Sequence, residues 1–145
     1  MAADVRVPIE SDADIVTARQ QGRALAATVG FGNSELTLIA TAISEVARNI
    51  VEHAGRGEVI LSPTEANNSQ GIVVVARDQG PGIPNIEQAL RDGYSTSGSL
   101  GLGLPGARRL MDEFEIASKV GKGTTVTMKK WIHRNLTDFP LRPRR

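Results

Sequence analysis

Apolar residues in the first third of the chain follow two different periods. In segment 4–9 every second residue is apolar, which predicts a strand, and Pro8 favours an edge position because it cannot donate to a sheet ladder. From a cap at Ser11 or Asp12 the apolar positions recur at helical spacing as far as Gly30. The pattern therefore predicts a strand followed by a long helix.

A second amphipathic helix is predicted over 35–54. Ser34 is a suitable N-cap and Gly55 a suitable stop. The apolar side chains of this segment fall within a narrow arc, as expected for a helix that packs on a core. They are Leu36, Ile39, Ile43, Val46 and Ile50.

The middle of the chain changes to β-branched runs. Segments 58–62 and 71–78 are apolar strands, and the polar stretch 63–70 between them is interpreted as a hairpin loop. The second run is apolar at consecutive positions, which is typical of a strand buried on both faces.

The C-terminal half repeats the alternation of helices and strands. A short helix is expected around 85–91 and a longer one over about 102–113. Strands at 114–120 and 124–131 flank "GKG", a tight-turn signal, and predict a closing hairpin.

This order of elements is not a regular βαβ alternation, so we expect an α+β fold with helices on one face of a mixed sheet. A chain of 145 residues with 40% hydrophobic residues suits one domain with a real core. We expect that domain to span 1–131. Segment 132–145 loses periodicity and gains basic charge, so we interpret it as a tail.

Composition excludes several function classes. With no cysteine and two histidines, disulfide scaffolds and Cys/His metal sites are disfavoured. A net charge of +1 and 3% aromatic residues argue against nucleic-acid binding. No apolar run approaches the ~20 residues of a spanning helix and no signal-peptide pattern is present, so we expect a cytoplasmic protein without membrane contact.

Glu45 and Asn49 are the first candidate functional pair. They lie four residues apart on helix 35–54, at the rim of its apolar arc, where a cleft can open. A carboxylate there suits a general base, and the amide oxygen suits a hard cation such as Mg²⁺. Two solvated polar side chains remain the alternative interpretation of this spacing.

The segment "DQGPGIP" directly follows the buried strand 71–78. Asp78 is placed to accept a hydrogen bond from a ligand amino group such as adenine N6, and Gly80 and Gly82 would let the loop approach a ring closely. A plain turn has the same composition, so both interpretations stay open at this point.

The segment "DGYSTSGSLGLGLPGARRL", residues 92–110, contains G-x-G-x-x-G but no preceding strand, so it fails the Rossmann test. "GKGTT" likewise lacks the upstream glycine of a P-loop and a Ser/Thr directly after its lysine. What remains is either a linker or a glycine-rich loop that brings a helix N-terminus, around residues 102–104, to an anion.

Four motifs in this order and spacing, "SEVARN", "DQGPGIP", "GLGLPG" and "GKGTTV", resemble the N, G1 and G2 boxes of the GHKL ATP-binding superfamily. Further stretches, including "IVTARQQGRALAATVGF", "DGYSTSG", "GLPGARRLMDEF" and the terminal "KKW", are similar to the RsbT-type serine/threonine kinases of bacterial stress-signalling modules. The likeness covers residues 5–131 and implies a Bergerat fold, a two-layer α/β sandwich with a mixed, mainly antiparallel sheet and an ATP lid.

The resemblance assigns roles residue by residue. Glu45 would be the general base, Asn49 the Mg²⁺ ligand and Asp78 the adenine N6 acceptor. Residues 85–100 would form the lid, hinged on Gly93 and Gly98, with 92–100 disordered in the absence of nucleotide. The other implied ATP contacts are Gly80, Gly82, Ile83, Ser97, Gly98, Gly101, Leu102, Gly103, Leu104 and Thr125. Whether Arg108 or Arg109 reaches a phosphate is left open by the spacing.

The resemblance also implies partners. RsbT-type kinases phosphorylate Ser or Thr of STAS-domain proteins of the RsbS and RsbR types and, once released, activate a downstream phosphatase of the RsbU type. A related GHKL protein, the anti-sigma factor SpoIIAB, offers the alternative of a binding switch that sequesters a sigma factor.

Overall fold

The computed structural model describes residues 4–91 and 103–133. Within them the chain forms five strands and four helices. In chain order these are β1 Val5–Ile9, α1 Asp12–Val29, α2 Asn33–His53, β2 Gly57–Ala66, β3 Ser69–Asp78, α3 Ile86–Ala89, α4 Gly103–Leu110, β4 Glu113–Lys119 and β5 Gly123–Trp131.

The strands form one sheet in the order β1-β2-β3-β5-β4, and each of the four pairings is antiparallel. The expected mixed sheet is therefore antiparallel throughout its described strands. The connections explain this result. Two long helices, α1 and α2, separate β1 from β2, so the chain returns to the end of the sheet where β1 finished. β3 and β4 have the same direction, but β5 lies between them and no parallel pair forms.

The fold has two layers, as expected for an α+β sandwich. α1 and α2 pack against each other and on one face of the sheet, and α4 packs against α2. The side chains at the centre come from α2 and from the helix-facing positions of the strands. The largest fully buried ones are Ile9, Ile39, Ile43, Ile50, Leu61, Ile72, Met128, Val46, Val59 and Val74.

The other face of the sheet carries a charged ladder across three strands. Glu58 on β2 accepts from Arg77 Nε on β3 at 2.8 Å and lies 3.3 Å from Arg6 Nη1 on β1. The hydrogen bond from Arg77 is the largest influence on the Glu58 carboxyl, and with both guanidinium charges it outweighs partial desolvation and lowers the pKa of Glu58.

The β2–β3 hairpin is longer than predicted. Segment 63–70 is almost entirely strand, and the connection is a two-residue turn at Asn67 and Asn68 with φ of 52° and 67°. Left-handed conformation at both central residues is what a tight hairpin needs, and Asn tolerates it better than other residues with a side chain. The loop prediction was wrong because polar residues here lie on a strand end that is largely open to solvent.

Helix ends also differ from the prediction by a few residues. α2 is capped by Gly32 rather than Ser34, and α4 ends at Leu110 rather than near 113. α4 stops because the backbone N–H of Asp112 already donates to the Lys129 carbonyl, at 2.9 Å, and so joins the sheet. At the C-terminus, Ile132 N donates to the Gln70 carbonyl at 2.8 Å, so contacts with the domain continue past 131.

No helix in the described part of the chain combines the length and the apolarity that crossing a membrane requires.

Candidate active site

The middle of α2 is buried on all sides and carries the first candidate residue. Residues 42–47 are buried, and Glu45 is 9% exposed to solvent. α4 packs against α2, so the rim that the sequence predicted is covered by α4. A carboxylate in such a position requires partners, since burying an unpaired charge is costly.

Within the part of the chain that the structure describes, Glu45 has two partners, one for each carboxylate oxygen. Oε1 accepts from the backbone N–H of Gly103 at 3.0 Å, and Oε2 lies 3.2 Å from Arg48 Nη1, one turn along α2. Gly103 is the first residue of α4 and has φ of 61°. The carboxylate therefore occupies the N-terminus of α4, a position where unpaired N–H groups and the helix dipole favour an anion.

Asn49 lies one turn further along α2 and is half-buried. Its side chain forms no hydrogen bond with the residues that the structure describes. Those residues also contain no group of three or more His, Cys, Asp or Glu side chains that could hold a metal ion by themselves. The Asn49 side-chain oxygen is a hard ligand, and a Mg²⁺ held there would complete its shell with phosphate oxygens and water.

Asp78 ends β3, on the helix-facing side of the sheet. Asp78 lies on this face because side chains two residues apart on a strand point to the same side, and Val74 and Ala76 are buried under the helices. One of its carboxylate oxygens, Oδ1, accepts a hydrogen bond from the backbone N–H of Gly80 at 2.9 Å. Oδ2 has no hydrogen-bond partner among the described residues. Oδ1 thus stabilises the turn at Gly80, and Oδ2 is available to accept a hydrogen bond from a ligand.

The glycines after Asp78 are required by packing against protein atoms. A Cβ at Gly80 would lie 2.5 Å from the Ala54 side chain at the end of α2. Gly82 has φ of 81°, and a Cβ there would collide with the Lys119 carbonyl of β4. The sequence interpretation that these glycines leave room for a nucleotide stays a prediction.

The loop 79–83 is fixed to the β4–β5 hairpin from the other side. Gly121 N donates to the Pro81 carbonyl at 2.8 Å, and Ile83 N donates to Ser118 Oγ at 2.7 Å. Ile83 packs against the hydrophobic core. The loop after Asp78 is therefore held in one position by backbone and hydroxyl contacts.

Thr125 does not share a face of the sheet with Asp78. Asp78 pairs directly with Thr124, whereas Thr125 pairs with exposed Arg77 and so points to the opposite side. Thr124 is 5% exposed and lies in the same row as buried Val126. The structure thus brings Thr124, and not the predicted Thr125, next to Asp78.

Sequence reasoning missed both Thr124 and Ser118. Ser118 Oγ lies 2.8 Å from Thr124 Oγ1, and Ser118 pairs with Thr124 across β4 and β5. The alternation of the two strands contained this signal, because residues two positions apart share a face. Thr124 shares the face of the apolar Val126 and Met128, and Ser118 shares the face of Phe114 and Ile116.

The predicted phosphate end of the site is only partly described. Ser97, Gly98, Gly101 and Leu102 lie outside the described residues, as does segment 92–100 of the expected lid. Leu104 is 5% exposed with its side chain in the core, so only its backbone is open to a ligand role. Arg108 and Arg109 are exposed in the last turn of α4, the end away from Gly103.

An open cleft of about 1110 Å³ adjoins Asp78 at the end of the sheet where β1 and β3 end and β2 begins. Its lining includes Arg77, Thr125 and Lys122 but neither Glu45 nor Asn49. Of the predicted catalytic, metal and adenine-binding side chains, Asp78 and Thr125 line this cleft, whereas Glu45 and Asn49 lie away from it.

Several known proteins are similar to this chain. The histidine kinase-like ATPase domain family matches residues 9–130. The serine/threonine-protein kinase RsbT of Bacillus subtilis is 48% identical over 126 residues, which are 87% of this chain and 95% of that protein. The anti-sigma F factor of Geobacillus kaustophilus is 35% identical over 106 residues, 70% of this chain and 73% of that protein.

Two solved structures share the fold. A Mycobacterium tuberculosis protein with RsbU and RsbW domains superposes with a TM-score of 0.63 at 22% identity, over 92% of this chain and 34% of that one. The mycobacterial sensor histidine kinase MprB gives a TM-score of 0.53 at 18% identity, over 88% of this chain and 97% of that one. The α+β sandwich expected from the sequence is thereby confirmed.

The resemblance inferred from the four motifs is confirmed by the family match and by a 48% identical kinase that aligns over nearly its whole length. Membership of an ATPase family implies the use of ATP. The chain belongs to the histidine kinase-like, or GHKL, ATPase family and, within it, to the RsbT-type serine/threonine-protein kinases.

Proposed function

We propose that this protein transfers the γ-phosphoryl group of ATP·Mg²⁺ to a serine or threonine hydroxyl of a STAS-domain protein of the RsbS or RsbR type. The observation that carries the proposal is the buried Glu45 carboxylate at the N-terminus of α4, with Asn49 one turn away. A base, a metal ligand and free backbone donors are the groups that phosphoryl transfer needs.

The adenine end of the site would be formed by the β3–β5 edge. The free oxygen of Asp78 would accept from the adenine amino group. Thr124 would take the supporting role that the sequence predicted for Thr125, because Thr124 shares the face of Asp78. Gly80, Gly82 and Ile83 hold the loop that borders this position.

The phosphate end would be formed by α4 and α2. The backbone N–H of Gly103 would bind a phosphate oxygen, as would residues of the preceding glycine segment, and Asn49 would hold the Mg²⁺. Mg²⁺ supplies neutralisation of the charge that develops on the phosphate oxygens.

Glu45 would accept the proton of the substrate hydroxyl as its oxygen attacks the γ-phosphorus, and the bond from that phosphorus to the bridging oxygen of ADP would break. Both Glu45 oxygens are engaged in the present structure, by Gly103 and by Arg48. Each oxygen keeps a further lone pair that could accept the substrate proton, and the Gly103 N–H is a donor that a phosphate oxygen would also take.

The RsbT-like similarity supports a second role after transfer. Once released from its STAS partner, the kinase would activate a downstream phosphatase of the RsbU type in the cytoplasm. Protein partners are also supported by the anti-sigma F factor relatives, which are 32% to 37% identical to this chain.

Those same relatives favour one alternative function, a binding switch that sequesters a sigma factor. A kinase of the RsbT type should leave a phosphate on its STAS partner, whereas an anti-sigma factor should hold a sigma subunit in a complex. Co-purification with a sigma subunit would favour the alternative.

The test is incubation with ATP·Mg²⁺ and candidate STAS proteins, with phosphate transfer read from intact mass. Wild-type protein should add one phosphate, and Glu45→Gln should transfer at least ~10²-fold more slowly while still binding ATP. Asp78→Asn should weaken ATP binding by about 1 to 3 kcal/mol, because its amide can present a donor to the adenine amino group. Equal transfer by wild type and Glu45→Gln would remove Glu45 as the base.

A further inference from the structure

Ser118 lies beside Thr124, at the proposed adenine end of the site. It lies on β4 on the helix-facing side of the sheet, directly across from Thr124. Its hydroxyl accepts from Ile83 N at 2.7 Å, approaches Thr124 Oγ1 at 2.8 Å and lies 3.2 Å from the Gly123 carbonyl. One hydroxyl thus joins the loop after Asp78 to the first residues of β5.

The single proton of Ser118 restricts how these contacts can be made. A hydroxyl donates once and accepts twice. If Ser118 donates to the Gly123 carbonyl, Thr124 must donate to Ser118, and all three contacts are hydrogen bonds. If Ser118 donates to Thr124, the Gly123 contact is lost and the Thr124 proton needs another acceptor in a position that is 5% exposed.

The first arrangement leaves fewer polar groups unpaired, and an unpaired buried polar group is costly. In that arrangement the Thr124 hydroxyl donates its proton to Ser118 Oγ, so towards any other group Thr124 can act only as a hydrogen-bond acceptor. The neighbouring Asp78 Oδ2 is likewise an acceptor. The paired ends of β3 and β5 then present two hydrogen-bond acceptors side by side, Asp78 Oδ2 and Thr124 Oγ1.

We propose that Ser118 is a positioning residue that holds the Thr124 hydroxyl as an acceptor and so makes the site select purine nucleotides with a 6-amino group over those with a 6-oxo group. The inference rests on the proposed ATP-binding function. A 6-amino group can donate hydrogen bonds to these two acceptors, whereas a 6-oxo group is itself an acceptor and can form no hydrogen bond with them.

Ser118 also anchors the Ile83 backbone, so its removal weakens the loop whatever the nucleotide. A purely structural role would reduce the affinities for ATP and for inosine triphosphate by the same factor. A role in selectivity changes their ratio. The ratio of the two dissociation constants is therefore the informative quantity.

The experiment is titration of wild type, Ser118→Ala, Ser118→Thr and Thr124→Val with ATP and with inosine triphosphate. In Ser118→Ala the freed Thr124 proton can turn to the 6-oxo group, so the preference for ATP should fall by about threefold to tenfold. Ser118→Thr keeps the hydroxyl and should restore the preference to within about twofold of wild type.

Thr124→Val has nearly the same shape but no hydroxyl, so it should lower the preference as well, and adding Ser118→Ala to it should change the ratio no further. An unchanged ratio in Ser118→Ala or in Thr124→Val, or rescue that fails with Ser118→Thr, would overturn the assignment. Wild-type protein that binds neither nucleotide would instead overturn the proposed function itself, so the two failures are distinct.

Discussion

Glu45 Oε1 accepts a hydrogen bond from the backbone N–H of Gly103 at 3.0 Å, across 58 residues of sequence. This contact joins the proposed base on α2 to the first residue of α4. It gives the buried carboxylate a partner and gives the helix N-terminus an anion. A bound phosphate group would compete for the same N–H, so nucleotide binding and release of the base would be coupled.

The first prediction concerns that competition. Glu45→Gln should bind ATP about twofold to tenfold more tightly than wild type, because a neutral amide holds Gly103 less strongly than a carboxylate and repels no phosphate. Phosphate transfer should fall in the same variant, as proposed above. ATP titration measures the first effect.

Glu52→Gln is the matched control, because Glu52 is an exposed carboxylate on the same helix. Its ATP affinity should stay within about twofold of wild type, since its charge is screened by solvent. Weaker ATP binding by Glu45→Gln would show that the carboxylate does not compete with the phosphates.

The second prediction separates the two adjacent threonines of β5. Thr124→Val should weaken ATP binding by about fivefold to thirtyfold, because it removes a hydroxyl beside Asp78. Thr125→Val removes the same hydroxyl group on the opposite face of the sheet and should alter the dissociation constant for ATP by less than about twofold. If Thr125→Val were the more damaging substitution, the assignment of faces would be wrong.

The third prediction concerns the junction of α4, β4 and β5. Asp112 accepts from Trp131 N at 2.8 Å, lies 2.9 Å from His133 Nε2 and lies 3.7 Å from Lys130 Nζ. Burial, the largest single influence, raises the pKa of Asp112. The hydrogen bonds from Trp131 and His133 and the nearby positive charges together outweigh it, so the net result is a lowered pKa.

A carboxyl whose folded pKa lies below its unfolded value stabilises the fold above the unfolded pKa, about 4, and loses that effect as pH falls through the folded pKa. Asp112→Asn should therefore cost about 1 to 3 kcal/mol at pH 7, and the difference from wild type should shrink as the pH falls below about 4. Trp131 is the single tryptophan, so its fluorescence can follow urea unfolding at each pH. A pH-independent difference would contradict this account.

The fourth prediction concerns the turn of the β2–β3 hairpin. Asn68 has φ of 67°, a conformation that glycine adopts without strain. Asn68→Gly should raise the free energy of unfolding by about 0.5 to 1 kcal/mol, and Asn68→Ala should lower it by a similar amount. Thermal unfolding checks both variants, and stabilisation by alanine would argue against this backbone conformation.

Much of the fold could be predicted from the sequence because periodicity reports directly which face of an element is buried. The long helices α1 and α2 and the closing hairpin followed from the spacing of apolar residues. Segment 63–70 was misassigned because polarity reports exposure rather than backbone conformation. At the open end of a hairpin, strand residues are as exposed as those of a loop.

The chemistry of the site divides in the same way. The sequence by itself determined the family and the residue types, Glu45, Asn49 and Asp78, because each lies in a local motif. Only the tertiary structure decided which threonine faces Asp78 and what holds the Glu45 carboxylate. The first depends on the pairing of β3 with β5, and the second on α4 packing against α2. Contacts between segments distant in sequence leave no mark in local spacing, so the fold alone defines them.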